Sequence, residues 1–235
     1  MNYNVTEDVI TETSQSYINT GISNDVELSH RVEISKNGSP FLEYAYTNEK
    51  GQNIKKTEWP VRDPKPFEER SQKGKDYILE YISKEKEKTG KVLTPGDVVD
   101  IMHQWDVDKQ MKRILYVAKK FVPAQELRGD FSNFKEFITF ISNKIGDKCK
   151  GVKLRSKFIW DDEGKYVTTP NKVLKSEPWL ERVDEISEED SQIKILATDK
   201  IVRSNSRVVG TRAPQKENPL EIDGDDKSST DDMPF

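Results

Sequence analysis

The sequence is poor in residues that carry chemistry. Its one cysteine, Cys149, excludes an internal disulfide and fits a reducing compartment. With only His30 and His103 beside it, no zinc-finger or zinc-knuckle spacing can be drawn, so no metal is expected. No apolar run is long enough to cross a bilayer and no charged-then-apolar leader opens the chain, so a soluble cytoplasmic protein is expected. Gly-rich phosphate loops, a Gly-x-Ser-x-Gly elbow and a His-Glu-x-x-His helix are all missing. His103 lies near Asp100 and Asp106 as a solvated helix histidine does. Asp161-Asp162-Glu163 fits a turn, and Glu188-Glu189-Asp190 fits a solvated acidic run. No catalytic residue and no cofactor is assigned, and the chain is expected not to be an enzyme.

Apolar residues are also scarce. Hydrophobic residues make up 33% against 34% charged, with a mean hydropathy of -0.83, so part of the chain is not expected to pack. The formal charge of -4 conceals a split. Residues 181–235 hold fourteen acidic against eight basic residues, whereas 1–180 hold 28 against 30. The charge of the whole chain therefore says little about what the body binds.

What is present is a strand code in two separated blocks. Val26, Leu28, His30, Val32 and Ile34 alternate with Glu27, Ser29, Arg31 and Glu33, the two-residue period of a strand with one buried face. Lys36-Asn37-Gly38-Ser39 supplies a turn, residues 40–47 a second strand, residues 48–51 another turn and residues 53–61 a third strand. The code returns at Gly151, where Val152, Leu154, Ser156, Phe158 and Trp160 alternate with Lys153, Arg155, Lys157 and Ile159. Residues 161–164 then turn into a strand over 165–169.

Between the blocks the apolar spacing is helical. Tyr77, Ile78, Tyr81 and Ile82 mark one helix, and Val98, Ile101, Met102 and Trp105 a second that starts at Thr94-Pro95. A third is expected over 107–121, and a fourth, capped by Ser132, carries Phe134, Phe137, Ile138 and Ile141. The expected fold class is mainly β with an α insertion (α+β): a five-stranded OB-like barrel with a helical subdomain at about 64–147 between strands 3 and 4. The expected domains are a flexible arm over 1–20, the barrel with its insertion over 21–182, a charged linker over 183–222 and a disordered acidic tip over 223–235.

A strand face that binds an unpaired polynucleotide needs cations along the phosphates and flat side chains for the bases. Candidates for that role are Arg31, Tyr44, Tyr46, Lys55, Lys56, Trp59, Lys153, Arg155, Lys157, Trp160, Lys165 and Tyr166. Segment 148–180 holds eight basic against four acidic residues. Taken singly, Tyr44, Tyr46 and Trp59 fit a barrel core at least as well as a stacking platform, Phe158 fits the core better, and an alternating Lys/Arg face fits a solvated wall. The coincidence of cations and rings on these strands favours binding.

The last thirteen residues, D-G-D-D-K-S-S-T-D-D-M-P-F, hold five Asp and end on Phe235. Phe235 fits a small apolar pocket while basic groups of a partner meet its carboxylate, Asp231 and Asp232. Met233 adds apolar surface, and Pro234 reduces the entropy lost on docking. The frayed, solubilising acidic tail is the plainer alternative.

This ending resembles the tip of bacterial and bacteriophage single-stranded DNA-binding proteins. K-N-G-S-P-F-L-E-Y, K-K-T-E-W and G-V-K-L-R-S-K-F-I-W resemble the barrel strands of bacteriophage members with a helical insertion. The likeness covers about residues 22–62, 148–180 and the tip. It implies a protein that coats single-stranded DNA in replication and recombination, in the cytoplasm of an infected host if phage-encoded. It also implies a tip, Asp231 to Phe235, that recruits a polymerase, helicase, primase or recombinase and can fold back to compete with DNA. The insertion here is larger than the family's usual single helix. The alternative is a protein-interaction adaptor that works through the helical insertion, with the barrel as scaffold.

Overall fold

The computed structural model describes residues 18–201, which divide into two compact units: 18–61 with 108–201, and 62–107. The strands of the first unit are β1 (Gly21–Ile34), β2 (Pro40–Thr47), β3 (Asn53–Glu58), β4 (Lys153–Trp160), β5 (Val167–Thr168) and β6 (Leu180–Arg182). The α-helices among the described residues are α1 (Gln72–Thr89), α2 (Pro95–Ala118) and α3 (Phe134–Ile145). The division between units falls inside α2, between Val107 and Asp108.

The first unit is a nearly closed antiparallel barrel in the order β3-β2-β1-β4-β5. Its seam lies between β3 and β5, whose Cα atoms approach within 8 Å. β1 serves both halves, pairing with β4 over Gly21–Glu27 and with β2 over Glu27–Ile34. A register shift between Ser23 and Val26 bends it from one partner towards the other, as a bulge does. The two expected turns form, each with a glycine at positive φ, Gly38 (+80°) and Gly51 (+72°).

Inward parity builds the core. Val26 and Leu28 of β1, Leu42, Tyr44 and Tyr46 of β2, Ile54 of β3, and Leu154 and Phe158 of β4 are buried together. α3 packs on β1 and β2 through Phe137, Ile138, Ile141 and Ile145. Asn133 rather than Ser132 caps this helix: its side chain accepts from Glu136 N, and the Glu136 carboxylate accepts from Ser132 N. His30 reaches from β1 to the far end of α3, with its ring nitrogens 3.0 Å from Ser142 Oγ and 3.1 Å from Gly146 O.

Three expectations are corrected. The two helices expected over 94–105 and 107–121 are one, α2, because no glycine or proline interrupts the run from Asp97 to Ala118. β5 is only two residues long, and a short β6 pairs with the stretch of β4 that β5 leaves open. Residues 183–201, expected as linker, are packed: Trp160 N donates to Lys200 O at 2.8 Å, Thr20 Oγ1 donates to Ile201 O at 2.8 Å, and Ile193 is buried.

The second unit has its own small core of Ile78, Leu93, Val98 and Val99, flanked by Phe67, Tyr81, Ile82, Ile101 and Met102. Ser71 caps α1 by accepting from Gly74 N, and Gly90 at φ +73° ends it. Asp97 Oδ2 accepts from Thr94 N and Oγ1, which holds this carboxyl below the usual range. Among the described residues no helix is long and apolar enough to cross a membrane.

Candidate nucleic-acid interface

Two of the expected stacking rings belong to the core. Tyr44 and Tyr46 share the inward parity of β2 with Leu42 and are buried, with Tyr46 set edge-on to Phe158 at 5.7 Å between centroids. Burial pushes both phenols well above their usual pKa, and Glu58 adds to the effect. No base can reach either ring in this fold.

Two of the expected phosphate contacts are also covered. Arg155 and Lys157 are each 3% exposed. The Arg155 guanidinium donates to Asn24 Oδ1 at 2.9 Å and to the carbonyls of Ser187 at 3.2 Å and Ile186 at 3.4 Å, and faces Glu181 at 3.5 Å. Lys157 Nζ donates to Asp199 Oδ2 at 2.7 Å and Lys194 O at 3.0 Å. Both cations therefore hold segment 183–201 against the sheet; a charge buried this deeply is stable only when paired. Lys153, two residues earlier on the same face, is open and bridges Glu27 at 3.2 Å and Glu49 at 3.6 Å.

The opposite parity of β2 and β3 carries the exposed face. Phe41 of β2 and Trp59, just past β3, lie with ring centroids 4.6 Å apart and planes tilted 38°. Trp59 is 45% exposed. Its backbone is fixed from inside by α2, because the Gln110 side chain donates to Trp59 O. The preceding residue, Glu58, is buried and takes Arg113 Nε at 2.9 Å and Nη2 at 2.6 Å, which raises the Arg113 pKa further. The ring thus stands outward on a rigid anchor.

Arg31 of β1 and Lys55 of β3 lie on the same outward face as the ring pair. Arg31 donates to Glu43 at 2.9 Å and to Glu33 at 2.6 Å, and Lys55 bridges the same Glu43 at 3.5 Å. Lys56 donates to Asn171 Oδ1 at 2.7 Å, tying β3 to the loop after β5, and burial lowers its pKa. That loop exposes Lys172 and Lys175, which make no ion pair among the described residues. In the hairpin before it, Asp161 Oδ1 accepts from Lys165 N at 2.6 Å, Lys165 bridges Glu163 at 2.5 Å, and Tyr166 is 71% exposed. Trp160 is half-buried at the base of the same hairpin.

Of the expected residues, Arg31, Lys55 and Trp59 share the outward face of β1–β3, Lys56 meets the adjoining loop, and Lys165 and Tyr166 stand on the hairpin. Phe41 was missed, although its parity opposite Leu42, Tyr44 and Tyr46 marks it as outward. Asp231, Asp232, Met233, Pro234 and Phe235 lie outside the described residues. Among the described residues no three His, Cys, Asp or Glu side chains group to hold a metal ion.

No protein-family model, curated protein or solved structure matches this chain.

Proposed function

We propose that this chain is a single-stranded DNA-binding protein built on an OB-like barrel, with the outward face of β2 and β3 as its platform. The observation that carries the reading is the Phe41–Trp59 pair, with Trp59 exposed at a strand end tied down through Gln110 and Arg113, on the same outward face as Arg31 and Lys55. Bases stack on such rings at about 1–3 kcal/mol each without a sequence-specific hydrogen bond. The strand order β3-β2-β1-β4-β5, with α3 lying between β3 and β4 in the chain, supports the OB-like assignment, and that fold binds oligonucleotides on this face and the adjacent loops.

In this reading the protein has no catalytic role. It coats and protects DNA during replication or recombination and recruits a partner enzyme through Asp231 to Phe235. A protein-interaction adaptor is the second reading, favoured by the separate core of residues 62–107. Titration of the intrinsic tryptophan fluorescence with oligo-dT separates the two. The DNA-binding reading gives quenching at low salt that added salt reverses, lost in Trp59→Ala with the melting temperature kept; no quenching at low salt leaves the adaptor.

A further inference from the structure

A cavity of about 510 Å³ opens between the C-terminal end of α2, the turn over 174–177, β6 and the segment that follows it. Small-ligand sites occupy about 300–1,000 Å³, so the size suits one. None of its lining residues belongs to the strand face assigned above.

Its back wall is fixed. Tyr116 Oη accepts from Trp179 N and Leu180 N, each at 3.1 Å, and donates to Leu180 O at 3.0 Å, while its ring centroid lies 5.0 Å from that of Trp179. Arg182 Nη1 donates to Lys120 O at 3.3 Å, which ties the end of α2 to β6. Leu174, Pro178 and Ile186 supply an apolar side.

The charges on the wall fall into two groups. Lys120 and Lys175 line the cavity and form no ion pair among the described residues. Lys120 Nζ stands 4.7 Å from the centre of the Tyr116 ring, and burial lowers its pKa against the pull of Glu181 and Glu185. An ammonium partly out of water gains from an anion that shares its cavity.

The carboxylates are unequally committed. Glu181 accepts from Ser191 Oγ at 2.7 Å and Gln192 N at 3.1 Å and faces Arg155. Glu185 gives Oε1 to Arg182 Nε at 3.3 Å, and Asp190 gives Oδ2 to Ser187 Oγ at 2.7 Å, so each keeps a second oxygen. Two ammonium groups act as point charges that suit a phosphate dianion, and no guanidinium fork lines the wall to grip a planar carboxylate. A carboxylate oxygen accepts from the amino group of a base, as it does from cytosine N4.

We propose that this cavity binds a nucleoside monophosphate with an amino-bearing base, in which Lys120 and Lys175 take the phosphate, the apolar side covers the base and Glu185 or Asp190 accepts from its amino group. Two sources share this chemistry, a free nucleotide and the phosphorylated 5′ end of a DNA strand. The site is separate from the Phe41–Trp59 platform, whose own test is the oligo-dT quenching.

Isothermal titration calorimetry of the full chain with deoxycytidine monophosphate tests it. Deoxycytidine, which lacks the phosphate, and thymidine monophosphate, which lacks the amino group, are each expected to bind more weakly by about tenfold or more. Lys120→Met keeps the stem over Tyr116, and together with Lys175→Ala it should weaken binding by about 100-fold, with Lys120→Arg retaining it. Lys175→Glu, at an exposed position, should cost about tenfold on its own and guards against a fold lost at Lys120. A tighter grip on 5′-phosphorylated than on 5′-hydroxyl oligo-dC, abolished in Lys175→Glu, assigns the strand end; equal grip, with the mononucleotide still bound, assigns the free nucleotide. No heat from deoxycytidine monophosphate, or heat unchanged in both lysine variants, overturns the site. Equal affinity for the thymidine and deoxycytidine monophosphates overturns the role given to Glu185 and Asp190.

Discussion

β2–β3 and β4 carry a similar alternation of basic residues and rings and put it to opposite use. On β2 and β3, Lys55 and Trp59 face outward beside Phe41 while Tyr44 and Tyr46 fill the core. On β4 the outward row runs Lys153, Arg155, Lys157, yet only Lys153 meets solvent, because β6 and segment 183–201 cover the other two. Alternation fixes which side chains share a face. What lies on that face decides whether a cation is a ligand for phosphate or an internal staple.

The largest effect should fall on the covered side. Arg155→Ala leaves the buried Glu181 carboxylate without a cation, with only Ser191 Oγ and Gln192 N still donating to it; breaking a buried ion pair typically costs up to about 3–5 kcal/mol. Lys157→Ala should act in the same direction on Asp199, which keeps only the Leu196 N donor, and by less because its side chain is partly exposed. Urea midpoints would measure both, and a loss under about 1 kcal/mol would show that the strap packs loosely.

Alkaline pH should act on the inward row of β2. The unfolded chain begins to ionise its tyrosines near pH 10, while burial keeps the folded-state pKa of Tyr44 and Tyr46 higher. Below pH 10 both states hold these protons and stability is untouched. Above it the unfolded state binds fewer protons, so stability falls as pH rises, by up to about 1.4 kcal/mol per pH unit per tyrosine. Tyr44→Phe with Tyr46→Phe should flatten that dependence in denaturant titrations, and an unchanged slope would assign it to other groups.

A more moderate effect is expected on the exposed face. Trp59→Ala should weaken oligo-dT binding by about 1–3 kcal/mol per lost stack. Trp59→Phe should keep most of the affinity while removing the share of the quenching that comes from Trp59, with Trp105, Trp160 and Trp179 still emitting. Smallest is Lys153→Ala, expected to shift stability by less than about 0.5 kcal/mol because its bridges to Glu27 and Glu49 are exposed. That contrast with Lys157, on the same face of the same strand, is the sharpest internal control.

Much of the barrel was legible because its strands alternate cleanly and its turns carry Asn-Gly and Lys-Gly signals at Gly38 and Gly51. The site was legible only in part. Tyr44 and Tyr46 share parity with Leu42, so a count of which row is apolar throughout would have sent them inward and Phe41 outward. The fate of Arg155 and Lys157 was not readable from β4 itself, since their partners Glu181, Ser187 and Asp199 come from a later polar stretch with no strand or helix period. The single long α2 was misread as two because its apolar face changes at Asp106 and Asp108, although no residue there breaks a helix.

Photocrosslinking of a 5-bromo-deoxyuridine oligonucleotide to the full-length protein, followed by peptide mapping, tests the platform most directly. Adducts at Phe41, Trp59 or Tyr166, suppressed by high salt, are the predicted result. Crosslinks confined to residues 62–107, with none on β2, β3 or the β4–β5 hairpin, would contradict it.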